Sequence, residues 1–111
     1  MRPWTFHSAG TLLFGRDTVD RVAEVAAKLK AKRAFVVTDA VLAGAGIAQR
    51  VTVPLSRAGV AVELWLGGRP EPPVEVVRSA VHAAKGFAPD VVLGLGGGSN
   101  MDVAKLVAAV L

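Results

Sequence analysis

A chain of 111 residues fits one domain or a large piece of one. With 52% hydrophobic and 20% charged residues it has the apolar surface for a real core, and without cysteine it offers neither a disulfide framework nor a thiolate metal site. The net charge of +4 raises nucleic acid as a partner, but the only basic cluster, Lys28, Lys30, Lys32 and Arg33, has no aromatic residues interleaved and reads as a solvated helix end.

No apolar run near Met1 is long enough for a signal peptide. The longest strongly apolar uncharged stretch, Val91 to Met101, is interrupted by four glycines, so neither a membrane nor a nucleic-acid partner is expected and a cytoplasmic location is. Along the chain, Thr11 to Phe14 is a short β-type run closed by Gly15. Asp17 then stands as an N-cap before Val22, Val25, Ala26 and Leu29, which recur at helical spacing. Ala34 to Val37 is an apolar strand ending at Thr38-Asp39, followed by a small-residue loop through Gly44 and Gly46. A helix is expected over Ile47 to Ala58, kinked or divided at Pro54 and stopped by Gly59. Val60 to Leu66 reads as a strand with Val60, Val62 and Leu64 on one face.

Gly67 to Pro73 is turn material, and Val74, Val77, Ala80, Val81 and Ala84 mark an amphipathic helix ended by Gly86. Val91 to Leu95 has the composition of a strand buried on both faces, and Asn100 to Leu111 is again helical in pattern. Strands alternating with helices imply an α/β domain with a mostly parallel sheet and flanking helices. The last helix carries the apolar stripe Val103, Leu106, Val107, Val110 and Leu111 with no cap after it, which reads as a truncated domain.

The most informative residues are VVLGLGGGSNMDVAK, Val91 to Lys105. A strand enters a glycine turn and a helix leaves it. Glycine permits positive φ and close backbone approach, while the first N–H groups of the helix lie unsatisfied at its positive end. Ser99 is placed to cap that helix and to donate its hydroxyl to a phosphate oxygen. No Gly-Lys-Ser/Thr closes the loop, so it is not a P-loop, and serine stands where the last glycine of the usual dinucleotide fingerprint belongs. The alternative is a tight connector that binds nothing. Three successive glycines lose much backbone entropy on folding, about 1–2 kcal/mol per residue, which favours a phosphate site over a connector. Asp39, at the end of its strand, is placed either to accept ribose hydroxyls or to cap the segment after it, and spacing alone decides neither.

GGGSNMDVAK, Gly96 to Lys105, resembles the Gly-Gly-Gly-Ser-x-x-Asp-x-x-Lys signature of the iron-containing alcohol dehydrogenases. LLFG ending at Gly15, FVVTD ending at Asp39 and GGRPEPPVEVV after the strand at Val60 to Leu66 fall in the same order as in that family. The resemblance implies a Rossmann-like, NAD(P)-binding domain over residues 1–111, incomplete, with a C-terminal helical metal domain absent from the chain. It implies hydride transfer between an alcohol or aldehyde and a nicotinamide, in a homo-oligomeric enzyme. By the resemblance, Gly96, Gly97, Gly98, Ser99 and the helix start at Asn100 hold the pyrophosphate. Asp39 matches the acid that meets the adenosine ribose and favours NAD over NADP, and Asp102 matches a carboxylate on the nicotinamide side. Lys105 matches the motif lysine and is read as bracing the loop.

Glu71-Pro72-Pro73 stands where the family usually has Asn-Pro-Thr, which removes an amide donor, and Asn100 stands where proline is common. The family's Fe2+ or Zn2+ is held by an aspartate and histidines further along than this chain reaches. His7 and His82 have no partner spacing and read as surface or packing residues. The 111 residues alone are therefore expected to be inactive. The alternatives are a glycerol dehydrogenase or dehydroquinate synthase-like fragment, and a non-catalytic remnant that binds a nucleotide or partner.

Overall fold

Four consecutive residues, Ala34 to Val37, lose all solvent exposure, and this run is the centre around which the rest assembles. The computed structural model describes residues 18–111; the readings at His7, at Thr11 to Gly15 and at Asp17 lie outside them. A 3-10 turn, Thr18–Arg21, leads into α1 (Val22–Lys28), followed by β1 (Arg33–Val37), α2 (Ala40–Gly44), α3 (Gln49–Arg57), β2 (Ala61–Trp65), α4 (Val74–Phe87), β3 (Val91–Gly94) and α5 (Gly98–Val110). The expected α/β architecture is present: β1 pairs with β2 on one side and β3 on the other, all parallel, in the order β2-β1-β3.

The period of two along the strands divides the core. Ala34 and Val36, with Val62, Leu64, Val91 and Leu93, pack against Ala26 of α1 and Val51 and Leu55 of α3. Phe35 and Val37, with Trp65 and Val92, pack against Ala80 and Ala84 of α4 and Val103 and Val107 of α5. The helix leaving β1 therefore runs to one face and the helix leaving β3 to the other. Adjacent parallel strands whose connections part in this way open a crevice at their carboxyl ends.

Local chemistry sets most element ends. α3 stops in a Schellman motif: the Val60 N–H reaches Leu55 O at 3.0 Å, the Gly59 N–H reaches Ser56 O at 3.0 Å, and Gly59 takes φ +85°. α1 ends in the same motif, with Ala31 N–H on Ala26 O at 2.9 Å and Lys30 N–H on Ala27 O at 3.0 Å, but the left-handed position is filled by Lys30 at φ 56°. Pro54 lies inside α3 without dividing it.

Several expectations shift. The residues after Asp39 begin as a helical turn, α2, before the loop, because the Asp39 side chain caps it. Gly86 lies inside α4, which ends at left-handed Ala88 and Pro89 instead. β3 is half-buried because among the described residues it pairs with β1 alone. Val25 and Leu29 of the α1 stripe are exposed, as are Leu106, Val110 and Leu111 of the last helix.

The basic cluster disperses. Arg33 donates to Phe87 O at 3.1 and 2.6 Å, and its guanidinium lies 4.2 Å from the centre of the Phe87 ring. The N–H groups of Lys32 and Arg33 donate to the two Asp90 carboxylate oxygens at 2.8 and 3.0 Å, which ties the entry of β1 to that of β3. These bonds hold the Asp90 carboxyl below its ordinary value. No described helix is long and apolar enough to cross a membrane.

Candidate functional site

The crevice between the carboxyl ends of β1 and β3 gathers Asp39 and the glycine turn. Asp39 follows β1 in an extended conformation, and its Oδ1 accepts the Leu42 N–H at 2.9 Å, closing the first turn of α2. Its Oδ2 accepts from Asn100 Nδ2, also at 2.9 Å. The Leu42 N–H, and after it the Asn100 amide, lower the Asp39 pKa, with partial burial opposing them. The cap expected as one of two roles for Asp39 is thus present, and the carboxylate is poised as an anion with lone pairs to spare.

Beyond β3, Leu95 N–H still bonds Val37 O at 2.9 Å, and the chain turns at Gly96 with φ +129°, a conformation only glycine adopts readily. A Cβ at Gly96 would also meet Leu42 Cδ1 at 3.0 Å and collide with Asn100 Nδ2. Gly97 is the N-cap of α5 and Gly98 its first residue, two places earlier than the helix start expected at Asn100. Ser99 is therefore the second helical residue and not the cap; its side chain makes no capping bond and instead lines the crevice. Asn100 points inward and is 3% exposed, with Nδ2 also donating to Leu95 O at 2.9 Å.

The glycines of the turn divide into two kinds. Gly96 is required by the chain itself. Gly97 and Gly98 are not: a Cβ at either would meet nothing within 4 Å among the described residues, and neither takes positive φ. Both face open space at the N-terminus of a 13-residue helix, whose first N–H groups have no partner inside the helix.

Two adjoining clefts lie over this turn. One, of about 160 Å³, is lined by Asp39, Arg69, Pro70 and the segment Gly97 to Asn100. The other, of about 620 Å³, continues past Asp39 along Val41, Leu42, Leu66, Gly68 and Arg69 to Gly96. Arg69 lines both and forms no ion pair or hydrogen bond among the described residues. Sequence reasoning passed over Arg69; the signal was a single cation in the loop after a parallel strand, where carboxyl-end loops converge. The loop itself is fastened to β1 by Gly68 N–H on Thr38 O at 3.0 Å and by a bridge between Asp39 and Gly67.

Other expected residues stand apart. Asp102 and Lys105 lie on the exposed side of α5, 72% and 74% exposed, paired loosely at 3.9 Å. Asp102 lines neither cleft, and Lys105 does not brace the glycine turn; it borders a shallow hollow with Val92, Gly94 and Met101. Glu71 is exposed outside both clefts and takes φ 45°, a left-handed conformation that asparagine tolerates better than glutamate. His82 is exposed on α4, and no three His, Cys, Asp or Glu side chains gather into a metal-binding group among the described residues.

Comparison with known proteins converges on one family. The family model described as iron-containing alcohol dehydrogenase matches residues 9–111. The long-chain-alcohol dehydrogenase 1 of Geobacillus thermodenitrificans (strain NG80-2) is 38% identical over 94 residues, which is 85% of this chain and 24% of that protein. The bifunctional aldehyde-alcohol dehydrogenase AdhE of Escherichia coli (strain K12) is 42% identical over 76 residues, 68% of this chain and 8% of that one. The crystal structure of the NADH-dependent butanol dehydrogenase A of Thermotoga maritima superposes with a TM-score of 0.84 at 31% identity, over 98% of this chain and 28% of that chain. The chain thus spans about a quarter or less of the length of these relatives.

Proposed function

The chain belongs to the iron-containing alcohol dehydrogenase family, and from that premise we propose that it supplies the cofactor-binding part of a cytoplasmic, homo-oligomeric NAD(P)-dependent enzyme that moves hydride between an alcohol or aldehyde and a nicotinamide. The observation that carries this reading is the open space at Gly97 and Gly98, where nothing in the described chain demands glycine and a side chain would fill the mouth of a helix N-terminus.

The residues fit a dinucleotide. Unpaired N–H groups at the start of α5, the Ser99 hydroxyl and the Arg69 guanidinium converge on one small cleft and suit a diphosphate. Asp39, in the larger apolar cleft beside it, suits the hydroxyls of the adenosine ribose, and Val41, Leu42 and Leu66 offer apolar surface to a base. A carboxylate at this point accepts from a 2′-hydroxyl and repels a 2′-phosphate, so NAD is the preferred cofactor over NADP. When bound, the nicotinamide supplies the hydride acceptor or donor. The residues of this chain bind and orient it: the glycine turn holds the diphosphate against α5 and Asp39 sets the adenosine end. Asp102 belongs to the nicotinamide side by resemblance alone. Among the described residues no three His, Cys, Asp or Glu side chains gather to hold the metal.

Calorimetric titration of the full-length protein with NAD and NADP tests the reading. NAD is expected to bind more tightly, and Gly97→Val to weaken both cofactors by blocking backbone approach to the diphosphate. Unchanged binding in Gly97→Val would remove the phosphate role of the turn.

A further inference from the structure

We propose that Asn100 is a positioning residue for cofactor choice: its side-chain amide ties Asp39, 61 residues away, to the floor of the glycine turn and thereby sets the direction in which that acid meets a ribose. The inference rests on the dinucleotide reading above and assigns the Asn100 side chain a role distinct from that of its backbone N–H at the start of α5.

Asn100 sits where the loops after all three strands meet. Its amide nitrogen donates to Asp39 Oδ2 and to Leu95 O, both at 2.9 Å, so both amide hydrogens are engaged between the end of β1 and the end of β3. Its Oδ1 is turned towards Gly68, in the loop after β2, and leaves no room there for a Cβ. A Cβ at Gly96 would likewise strike Asn100 Nδ2. The amide is thus confined on two sides by glycine backbone and is 3% exposed.

The consequence falls on Asp39. Its Oδ1 is taken by the Leu42 N–H and its Oδ2 by Asn100, one internal donor to each oxygen. Two fixed donors define the plane of a carboxylate, which would otherwise turn about its terminal torsion. The lone pairs left over then have set directions at the edge of the larger cleft, which Asp39 lines. An ordered acid binds a vicinal diol without first losing rotational freedom, and it holds its charge where a 2′-phosphate would have to lie. Proline at this position would carry no donor and could not make the tie.

The test uses the full-length protein with Asn100→Ala and, separately, Asn100→Pro, each also combined with Asp39→Gly. Circular dichroism establishes that each variant is folded, and calorimetry gives dissociation constants for NAD and NADP. The preference for NAD is expected to fall about tenfold in both single variants, as when one hydrogen bond to a charged group is lost. With Asp39→Gly present, neither substitution should move the ratio further, because Asn100 acts through that acid. A merely structural role predicts equal weakening of both cofactors; that result, or a shift that persists beside Asp39→Gly, overturns the proposal. A second readout needs no cofactor: carbon-13 NMR of the Asp39 carboxyl in the ligand-free protein. Its titration midpoint should rise in both variants, and an unchanged midpoint overturns the tie directly. A wild-type protein that binds neither cofactor while the midpoint still rises would overturn the dinucleotide reading and Asn100's part in cofactor choice, but not the tie itself.

Discussion

Replacing Gly98 and Gly68 by alanine, one at a time, separates a glycine kept for a ligand from a glycine kept for the fold. Gly98 is the first residue of α5, has no positive φ, and offers an added Cβ nothing within 4 Å among the described residues. Gly98→Ala should therefore stabilise the protein by about 0.4–1 kcal/mol, chiefly by reducing the freedom of the unfolded chain. Gly68→Ala meets the opposite situation. Its Cβ would stand 2.6 Å from Thr38 O, a backbone atom held in place by the strand, and closer still to Asn100 Oδ1. Forcing a methyl into such a space costs about 1–3 kcal/mol. If Asn100 gives way, its donation to the Asp39 carboxylate is lost as well, a hydrogen bond to a charged group worth about 1.5–3 kcal/mol. The destabilisation is then about 1–3 kcal/mol if only the crowding is borne, and about 2.5–6 kcal/mol if the hydrogen bond is lost as well. Urea denaturation of the full-length protein measures both changes, and calorimetric titration with NAD accompanies it. Gly98→Ala should be the more stable protein and the weaker binder. The reasoning fails if Gly98→Ala binds NAD as the wild type does, or if Gly68→Ala unfolds within about 0.5 kcal/mol of wild type, the range of an innocuous surface change.

Three further outcomes follow from the geometry. Lys30→Gly should raise stability by about 0.5–1 kcal/mol in the same denaturation assay, because glycine relieves the left-handed strain at the end of α1 at some cost in chain entropy. Thr38→Val should be neutral or stabilising, since Thr38 is fully buried and its Oγ1 has no hydrogen-bond partner among the described residues; a loss above about 1 kcal/mol would mean that the hydroxyl is satisfied after all. Asp39 and Asp90 both have carboxyls held below their ordinary value of 3.8, Asp39 mainly by the Leu42 N–H and Asp90 by the Lys32 and Arg33 N–H groups. The unfolded chain then binds protons first on acidification, so their stabilisation is complete above that value and disappears as pH falls through the lower folded one. Thermal unfolding between neutral and strongly acidic pH should show this decline, and Asp90→Asn should flatten it; an unchanged profile would mean that Asp90 does not clamp β1.

Much of the molecule was legible in the sequence wherever the cause is local. The alternation through Val60, Val62 and Leu64, the left-handed stop at Gly59 and the strand-to-helix turn at Gly96 depend on residues a few places apart, and the glycine signature by itself carries the family resemblance. Errors arose where a local signal met a tertiary one. Gly86 reads as a helix stop, yet α4 continues to Phe87, whose carbonyl and ring are held by Arg33 at the start of β1. Ser99 reads as a cap, yet the helix begins earlier because the buried Asn100 amide reaches inward to Leu95 O and Asp39. The strand order β2-β1-β3 could not be read at all, since it depends on which edge of β1 the chain returns to after α4. That return sends the connections of β1 and β3 to opposite faces, and so brings Asp39, Arg69 and Gly97 to one crevice. Sequence determines which residues are able to bind a phosphate or cap a helix, because those capacities reside in single side chains and short backbone runs. Which of them share a site is decided only when the strands close, because that closure depends on contacts between residues dozens of positions apart.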